Sequence, residues 1–250
     1  MSIITKFSTL ILHLSTVDST SEVAKQLLQD HPFVVVSADV QTAGRGRNGK
    51  AWMGDSGANV YVSYGYKHAA PKNRQYLVDA MFFPALAVVA TLRELDSIHT
   101  YRIKYPNDIQ ITTPSGWAKI SGILTEHEFE GPHCVTTTIG IGINVRQTVF
   151  PDTITQPCTS LLAQNVDVSV RTVLEVLHRH MSNGAVVNHT DLYQRWLCEL
   201  ELQGTEVHIV GSEHTWNVCS VEEDGRLLVQ NTVTHEQRVI DNGDTIRYID

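Results

Sequence analysis

A chain of 250 residues, 42% of them hydrophobic, holds one large domain or a medium domain with a small companion, and can bury a sizeable core. A formal net charge of −8 with no basic tail argues against a nucleic-acid binder, which presents a basic face. The four cysteines, Cys134, Cys158, Cys198 and Cys219, are widely spaced without a Cys-x-x-Cys pair, which speaks against a zinc or redox motif and for reduced thiols in the cytoplasm.

Residues 1–14 carry an apolar patch at 10–14 but neither a basic start nor a small-residue cleavage site, so 10–14 reads as a strand and not as a signal peptide. No apolar run reads as long enough to span a bilayer. Residues 17–22, Val-Asp-Ser-Thr-Ser-Glu, open a helix with capping-box spacing between Ser19 and Glu22. Val23, Ala24, Leu27 and Leu28 are its apolar stripe, and Pro32 lies just beyond its end. Ser19 and Thr20 are read either as N-caps or as hydroxyls that the helix start offers to a polar ligand.

Residues 33–38 form a buried-type strand that leads into Gln41-Thr42-Ala43-Gly44-Arg45-Gly46-Arg47-Asn48-Gly49-Lys50-Ala51-Trp52. Glycine permits close backbone approach, and arginine offers a planar fork of donors for carboxylate or phosphate. The stretch also spells G-x-G-x-x-G, but no helix follows and the acidic residue expected some 20 positions on is missing, so a dinucleotide-binding fold is set aside. A kinase glycine loop fails too, since neither His-Arg-Asp nor Asp-Phe-Gly follows.

Residues 59–66 alternate like a strand, and Leu86, Val89, Leu92 and Leu95 predict a helix that starts near Pro84, with 76–83 unassigned. Residues 101–104 are a short strand ending in Tyr105-Pro106-Asn107-Asp108, a turn that projects polar side chains. Residues 109–113, the turn Pro114-Ser115-Gly116 and residues 118–129 predict a hairpin. Within it, Lys119 starts the apolar run Ile120-Ser121-Gly122-Ile123-Leu124, where a lone lysine is usually a solvated strand end. In the strand at 135–145, Ile139-Gly140-Ile141-Gly142-Ile143-Asn144 places bulk on one face and bare backbone on the other, as tight packing or a ligand would require. A short helix at 160–164, an amphipathic helix through Val170, Val173, Leu174, Leu177 and Met181, and another at 191–197 follow. From about Gly204 come short β-type runs at 206–210, 215–221, 226–230, 237–240 and 245–249, punctuated by Gly211, Asp224-Gly225 and Asn242-Gly243. They predict a small β-barrel packed directly on the rest.

Together, Ser19-Thr20, the Gly-Arg-Gly-Arg loop with Trp52, the Pro-Asn-Asp turn, Lys119-Ile120-Ser121-Gly122-Ile123-Leu124 and Gly140-Ile141-Gly142-Ile143-Asn144 resemble the biotin–protein ligase (holocarboxylase synthetase) family, in its short form without an N-terminal DNA-binding domain. The motifs match in order and spacing over nearly the whole chain. Two positions depart: Tyr105 stands where the family usually has Trp, and Asn48 where it often has a basic residue. The resemblance implies an α+β fold: a class II synthetase-like catalytic domain at 1–203, its mixed β-sheet packed with helices, and an SH3-like β-barrel at 204–250. It implies ATP-dependent activation of biotin as biotinyl-5′-adenylate, then transfer to a lysine of a biotin carboxyl carrier domain, as in acetyl-CoA carboxylase. ATP, Mg²⁺, the carrier domain and a second copy of the chain are the implied partners, with no DNA, no membrane and a cytoplasmic location.

The implied chemistry brings biotin's carboxylate to the α-phosphate, anion against anion, and cations that screen both lower the barrier. Lys119, Arg45 and Arg47 are the candidates, with Asp108 as a proton acceptor or Mg²⁺ ligand. For biotin the resemblance implies Ser19, Thr20, Ser21, Gln41, Gly44, Arg45, Gly46, Arg47, Lys119, Gly122, Gly140 and Gly142. For ATP it implies Arg47, Trp52, Asn107, Lys119, Asn144 and Arg247, with the 41–52 loop as a lid. A lipoate–protein ligase or octanoyltransferase shares the architecture but lacks the Gly-Arg-Gly-Arg loop. A non-catalytic biotin-binding protein would lack the site cations.

Overall fold

The computed structural model describes residues 9–52, 54–183, 188–241 and 243–249. Asn242, read as half of a turn, and residues 1–8 and 250 at the edges of the two expected domains lie outside the described residues. Strand β1 (Thr9–Val17) runs parallel to β2 (Phe33–Gln41), with helix α1 (Thr20–Leu27) as the crossover. Strand β3 (Asn59–Lys72) pairs antiparallel with β2, and helix α2 (Arg74–Leu95) follows. Strands β4 (Tyr101–Lys104), β5 (Asp108–Thr113), β6 (Gly116–Glu130) and β7 (His133–Asn144) complete a seven-stranded mixed sheet of order β1-β2-β3-β7-β6-β5-β4.

The period of two along the central strands decides which side each helix takes. Val34 and Val36 meet Ala24 of α1 and Leu28 at its C-terminal end, whereas Val35 faces the larger core. On that second face Val60, Val62 and Tyr64 of β3 join Ile139, Ile141 and Ile143 of β7 beneath α2, α3 (Val170–Asn183) and α4 (His189–Leu200). The face under α1 instead receives Ser63, Gly140 and Gly142, which leaves room for a cavity.

Helix α2 departs from the sequence reading. It starts not near Pro84 but at Asn73, whose side chain accepts a hydrogen bond from the Tyr76 amide at 3.0 Å, and Pro84 sits inside it. By length and composition its 22 residues could cross a membrane, where the sequence reading finds no run long enough. Here they form a core helix, 56% of the most apolar window being buried inside the protein. The capping box also fails. Ser19 is the N-cap of α1 but makes no side-chain capping bond, and the Glu22 side chain turns to Arg45 and Lys25 and not back to the cap. The segment 160–164 is only a 3₁₀ turn at Leu162–Gln164.

A second sheet follows α4: β8 (Glu206–Ile209), β9 (Thr215–Val221), β10 (Leu227–Asn231), β11 (Gln237–Ile240) and β12 (Ile246–Tyr248), in the order β11-β10-β9-β8-β12. It shares one core with the helices. Trp196 of α4 is fully buried, stacks on Phe82 of α2 with ring centroids 4.1 Å apart, and belongs to the same cluster as Trp216, Val218, Leu227 and Ile246. Tyr105 donates to the Gly225 carbonyl at 2.9 Å, and burial pushes its phenol up to about 12. The Tyr193 hydroxyl bonds the Val221 carbonyl.

Two predictions follow from this packing. Trp196→Ala is expected to destabilise the whole chain by about 3–5 kcal/mol, the usual cost of emptying a buried aromatic site, with both sheets melting together in denaturant titration. At the far end of the sheet, His68 bonds Thr137 at 2.9 Å and His127 bonds the same hydroxyl at 3.0 Å. Burial first, then the charge of Lys72 and of His127, brings His68 down to about 4, and burial lowers His127 as well. The unfolded chain therefore takes up protons that the folded chain refuses, so stability is intact above pH 6.5 and falls as the pH drops toward 4. His68→Gln should flatten that slope in unfolding titrations.

Candidate active site

The 41–52 loop is a small hairpin of its own. Arg45 and Ala51 form an antiparallel bridge, the Gly46 amide donates to the Lys50 carbonyl at 2.7 Å, and the Trp52 amide to the Gly44 carbonyl at 2.8 Å. Asn48 (φ 53°) and Gly49 (φ 70°) are both left-handed and turn the tip. The base of the loop is tied to β1 through the Thr42 and Ala43 amides, which donate to Val17 and Asp18. A Cβ on Gly44 would lie 2.5 Å from the Trp52 carbonyl oxygen, so this glycine lets the two arms of the loop meet.

Beneath the loop lies a cavity of about 470 Å³ on the α1 face of the sheet. Ser19, Thr20, Ser21 and Gln41 line one end, Lys119, Asp108 and Asn107 another, and Gly122, Gly140, Gly142 and Asn144 the floor. Arg45, Gly46, Arg47 and Trp52 line it from the loop. Two residues that the family resemblance implied do not line it. Gly44 serves the loop's own geometry, and Arg247 lies exposed on β12 in the second sheet.

At the hydroxyl end, the Thr20 amide and hydroxyl both donate to Gln41 Oε1, at 2.8 and 3.1 Å, which leaves the Gln41 amide nitrogen as a donor. Thr20 and Ser21 both bond Ser63 Oγ, at 2.8 and 3.0 Å. Sequence reading missed Ser63, although its signal was present: a serine on the α1 face of a strand otherwise built of Val and Tyr. It also missed the 150–158 stretch, whose Phe150, Thr153, Ile154, Thr155, Gln156 and Cys158 complete the wall. That stretch has no helical or strand period to mark it.

The lysine at the head of the Ile-Ser-Gly run is not a solvated strand end. Lys119 Nζ lies 2.7 Å from Asp108 Oδ1, with side chains only 16% and 17% exposed, and 5.2 Å from the centre of the Trp52 ring. A bulge puts it there. Between β5 and β6 the register jumps from Ile109↔Ser121 to Gln110↔Lys119, so Ile120 is an extra residue. In a regular strand Lys119 and Gly122, three residues apart, would face opposite sides of the sheet; with the bulge, both face the cavity. The Cys158 thiol beside them is pushed up by burial, with Lys119 lowering it and Asp108 raising it. Asn107 accepts from Arg47 Nη1 at 3.4 Å and donates to the Ile123 carbonyl at 2.6 Å. Asn144 donates to the Thr159 carbonyl at 3.0 Å.

The Trp52 indole rests directly on the bare floor. A Cβ on Gly122 would lie 2.7 Å from Trp52 Cζ3, and one on Gly142 2.6 Å from Trp52 Nε1. Gly142→Ala is therefore expected to lift the indole, seen as a shift in tryptophan emission, with the far-UV circular dichroism unchanged.

The sequence model of the Biotin/lipoate A/B protein ligase family matches residues 14–144, more than half of the chain. The chain is 37% identical over 155 residues to the "Bifunctional ligase/repressor BirA" of Bacillus subtilis, a match that covers 60% of this chain and 46% of that protein. It is 32% identical over 137 residues to the "Biotin--[acetyl-CoA-carboxylase] ligase" of Mycobacterium tuberculosis, covering 52% and 45%. The chain thus spans about half the length of these curated relatives. Among solved structures it is similar to the biotin protein ligase of Aquifex aeolicus in complex with biotin and ATP, with a TM-score of 0.68, 25% identity, and 92% and 98% of the two chains covered. The matched residues include β2, the glycine-arginine loop, Lys119 and the glycine floor of β7, and on that ground the chain belongs to the Biotin/lipoate A/B protein ligase family.

Proposed function

We propose that the chain is an ATP-dependent biotin–protein ligase that activates biotin as biotinyl-5′-adenylate and transfers it to a lysine of a biotin carboxyl carrier domain. One observation carries the reading: a neutral hydrogen-bonding end and a cationic end share one cavity, about 470 Å³ in volume, under the 41–52 loop. Ser19, Thr20 and the Gln41 amide nitrogen suit a ureido group, which needs both donors and acceptors. Lys119 and Arg47 suit the carboxylate and the α-phosphate. A carboxylate oxygen attacks the α-phosphorus, the bond to pyrophosphate breaks, and Lys119, fixed on a strand, screens both anions.

Transfer follows when a lysine amine of the acceptor attacks the acyl carbon, AMP leaves with the electrons of the C–O bond, and the amine gives up a proton. Asp108 is the nearby carboxylate that would take that proton, and its bond to Lys119 holds it oriented. Asp108 is also the carboxylate that would hold magnesium together with the phosphates of ATP, a common arrangement for this ion. Among the described residues no group of three or more His, Cys, Asp or Glu side chains is arranged to hold a metal. Bound magnesium would neutralise phosphate charge. An acyl-adenylate reacts with water, so the 41–52 loop serves as its cover.

We further propose that the catalytic unit is class II synthetase-like and ends near Gln203, and that the second sheet is SH3-like. A second cavity supports a role for that sheet in admitting the acceptor. It shares Arg47, Asn107, Ile123 and Leu124 with the first and is walled by Asp224, Gly225, Asp241 and Gly243. A cytoplasmic setting, where carrier domains are made, fits the reading.

The test is to supply biotin, ATP and Mg²⁺, follow pyrophosphate release, and look for the biotinyl mass gain on an added carrier domain. The ligase reading is wrong if neither appears. Lys119→Ala is expected to slow pyrophosphate release by about 10²–10³, the cost of losing one preorganised charge contact, while biotin binding measured by calorimetry changes far less.

A further inference from the structure

We propose that Glu22, with Glu126 beside it, is the anchor of the glycine-arginine loop: a positioning pair that holds Arg45 and thereby keeps the loop down over the cavity. Its consequence for the intermediate rests on the ligase reading; the anchoring itself does not. Arg45 Nη2 pairs with Glu22 Oε1 and lies 3.8 Å from Glu126 Oε1. Lys25 Nζ bridges the same two carboxylates at 3.2 and 3.0 Å. Two carboxylates from separate elements, α1 and β6, thus face two cations, one of them on the loop. Among the described residues Glu126 Oε2 is buried without a hydrogen-bond partner, so the carboxylate that Arg45 approaches keeps a spare acceptor.

The geometry divides the three cations that the sequence suggested for ligand anions. Lys119 and Arg47 belong to the Asp108 and Asn107 end of the cavity. Arg45 turns the other way, to the acidic pair. Its backbone is bridged to Ala51, and Gly44 accepts from the Trp52 amide, so whatever restrains Arg45 also restrains the indole on the glycine floor. Arg45 and Glu22 side chains are each 45% exposed. Ion pairs at such exposure are weak and screened by salt, which suits a latch that must open for ligands to enter and leave.

Glu22 also starts from the helix turn that presents Thr20 and Ser21 to the cavity. The anchor therefore fixes the loop to the very element that forms the hydroxyl end of the site, while Arg47 ties it to Asn107 at the cation end.

The experiment is limited digestion of the full chain with trypsin, following cleavage after Arg47 and Lys50 by mass spectrometry at about 20 and about 500 mM salt, where the screening length falls from about 20 to about 4 Å. In the unaltered protein, cleavage should speed up with salt. Glu22→Gln should raise cleavage about 5-fold at low salt and abolish most of the salt response. Arg45→Gln should do the same, and the double variant should be no faster than either single one, as expected of partners in one interaction. Glu126→Gln should give a smaller effect in the same direction. In a gel-filtration trap, Glu22→Gln should shorten the lifetime of bound biotinyl-adenylate by a similar factor. A Glu22→Gln loop as protected as the original, with the same salt response, overturns the proposal, and so do additive effects of Glu22→Gln and Arg45→Gln. If the unaltered protein forms no adenylate, the ligase reading falls, and the digestion still decides whether Glu22 holds the loop.

Discussion

The structure depends on a division of labour between the two faces of its central strands. Ile139, Ile141 and Ile143 of β7, with Val60, Val62 and Tyr64 of β3, supply the bulk that packs against α2, α3 and α4. The intervening positions on β7, Gly140 and Gly142, carry no side chains, and the cavity exists because of that. A single sheet thereby serves as a packed core on one side and as the floor of a binding site on the other. Its rigidity is lent directly to the floor, since the same backbone carries both.

Electrostatics in the site works against the background of an acidic chain. The cations are not pooled at the cavity but matched individually: Lys119 with Asp108, Arg47 with Asn107, Arg45 with Glu22 and Glu126. Pairing holds each long side chain in one place before a ligand arrives, which is what preorganised charge stabilisation requires. The Lys119–Asp108 pair is sheltered and sits on strands, whereas the Arg45 pairs are half-exposed and sit on the loop. Permanent and releasable contacts are thus separated by burial.

The second sheet is bound to the first sheet and its helices by more than a linker. Trp196 and Phe82 stack within a cluster that runs on into Trp216, Leu227 and Ile246, and Tyr105 reaches from the Pro-Asn-Asp turn to the Gly225 carbonyl. The aromatic before Pro106 therefore serves this joint. Tyrosine meets that need because its hydroxyl finds a buried acceptor.

What the sequence by itself determined is local and periodic. Alternating isoleucine and glycine marked the two-faced strand, glycine and arginine marked the 41–52 loop, and short runs with Asp-Gly punctuation marked the second sheet. These signals need only the pleat of a strand or the turn chemistry of neighbouring residues. The tertiary structure decided whatever depends on register or on distant partners. One inserted residue, Ile120, turned Lys119 from a strand end into a cavity cation. Glu22 turned to Arg45, 23 residues away, and not back to the cap, and Lys25 found Glu126 across 101 residues. Pro84 was absorbed into α2 because Asn73 had already capped the helix and the core took up the residues before the proline. The aperiodic 150–158 wall and Ser63 became site residues through placement alone, since contacts between segments remote in sequence leave no trace in the pattern of either one.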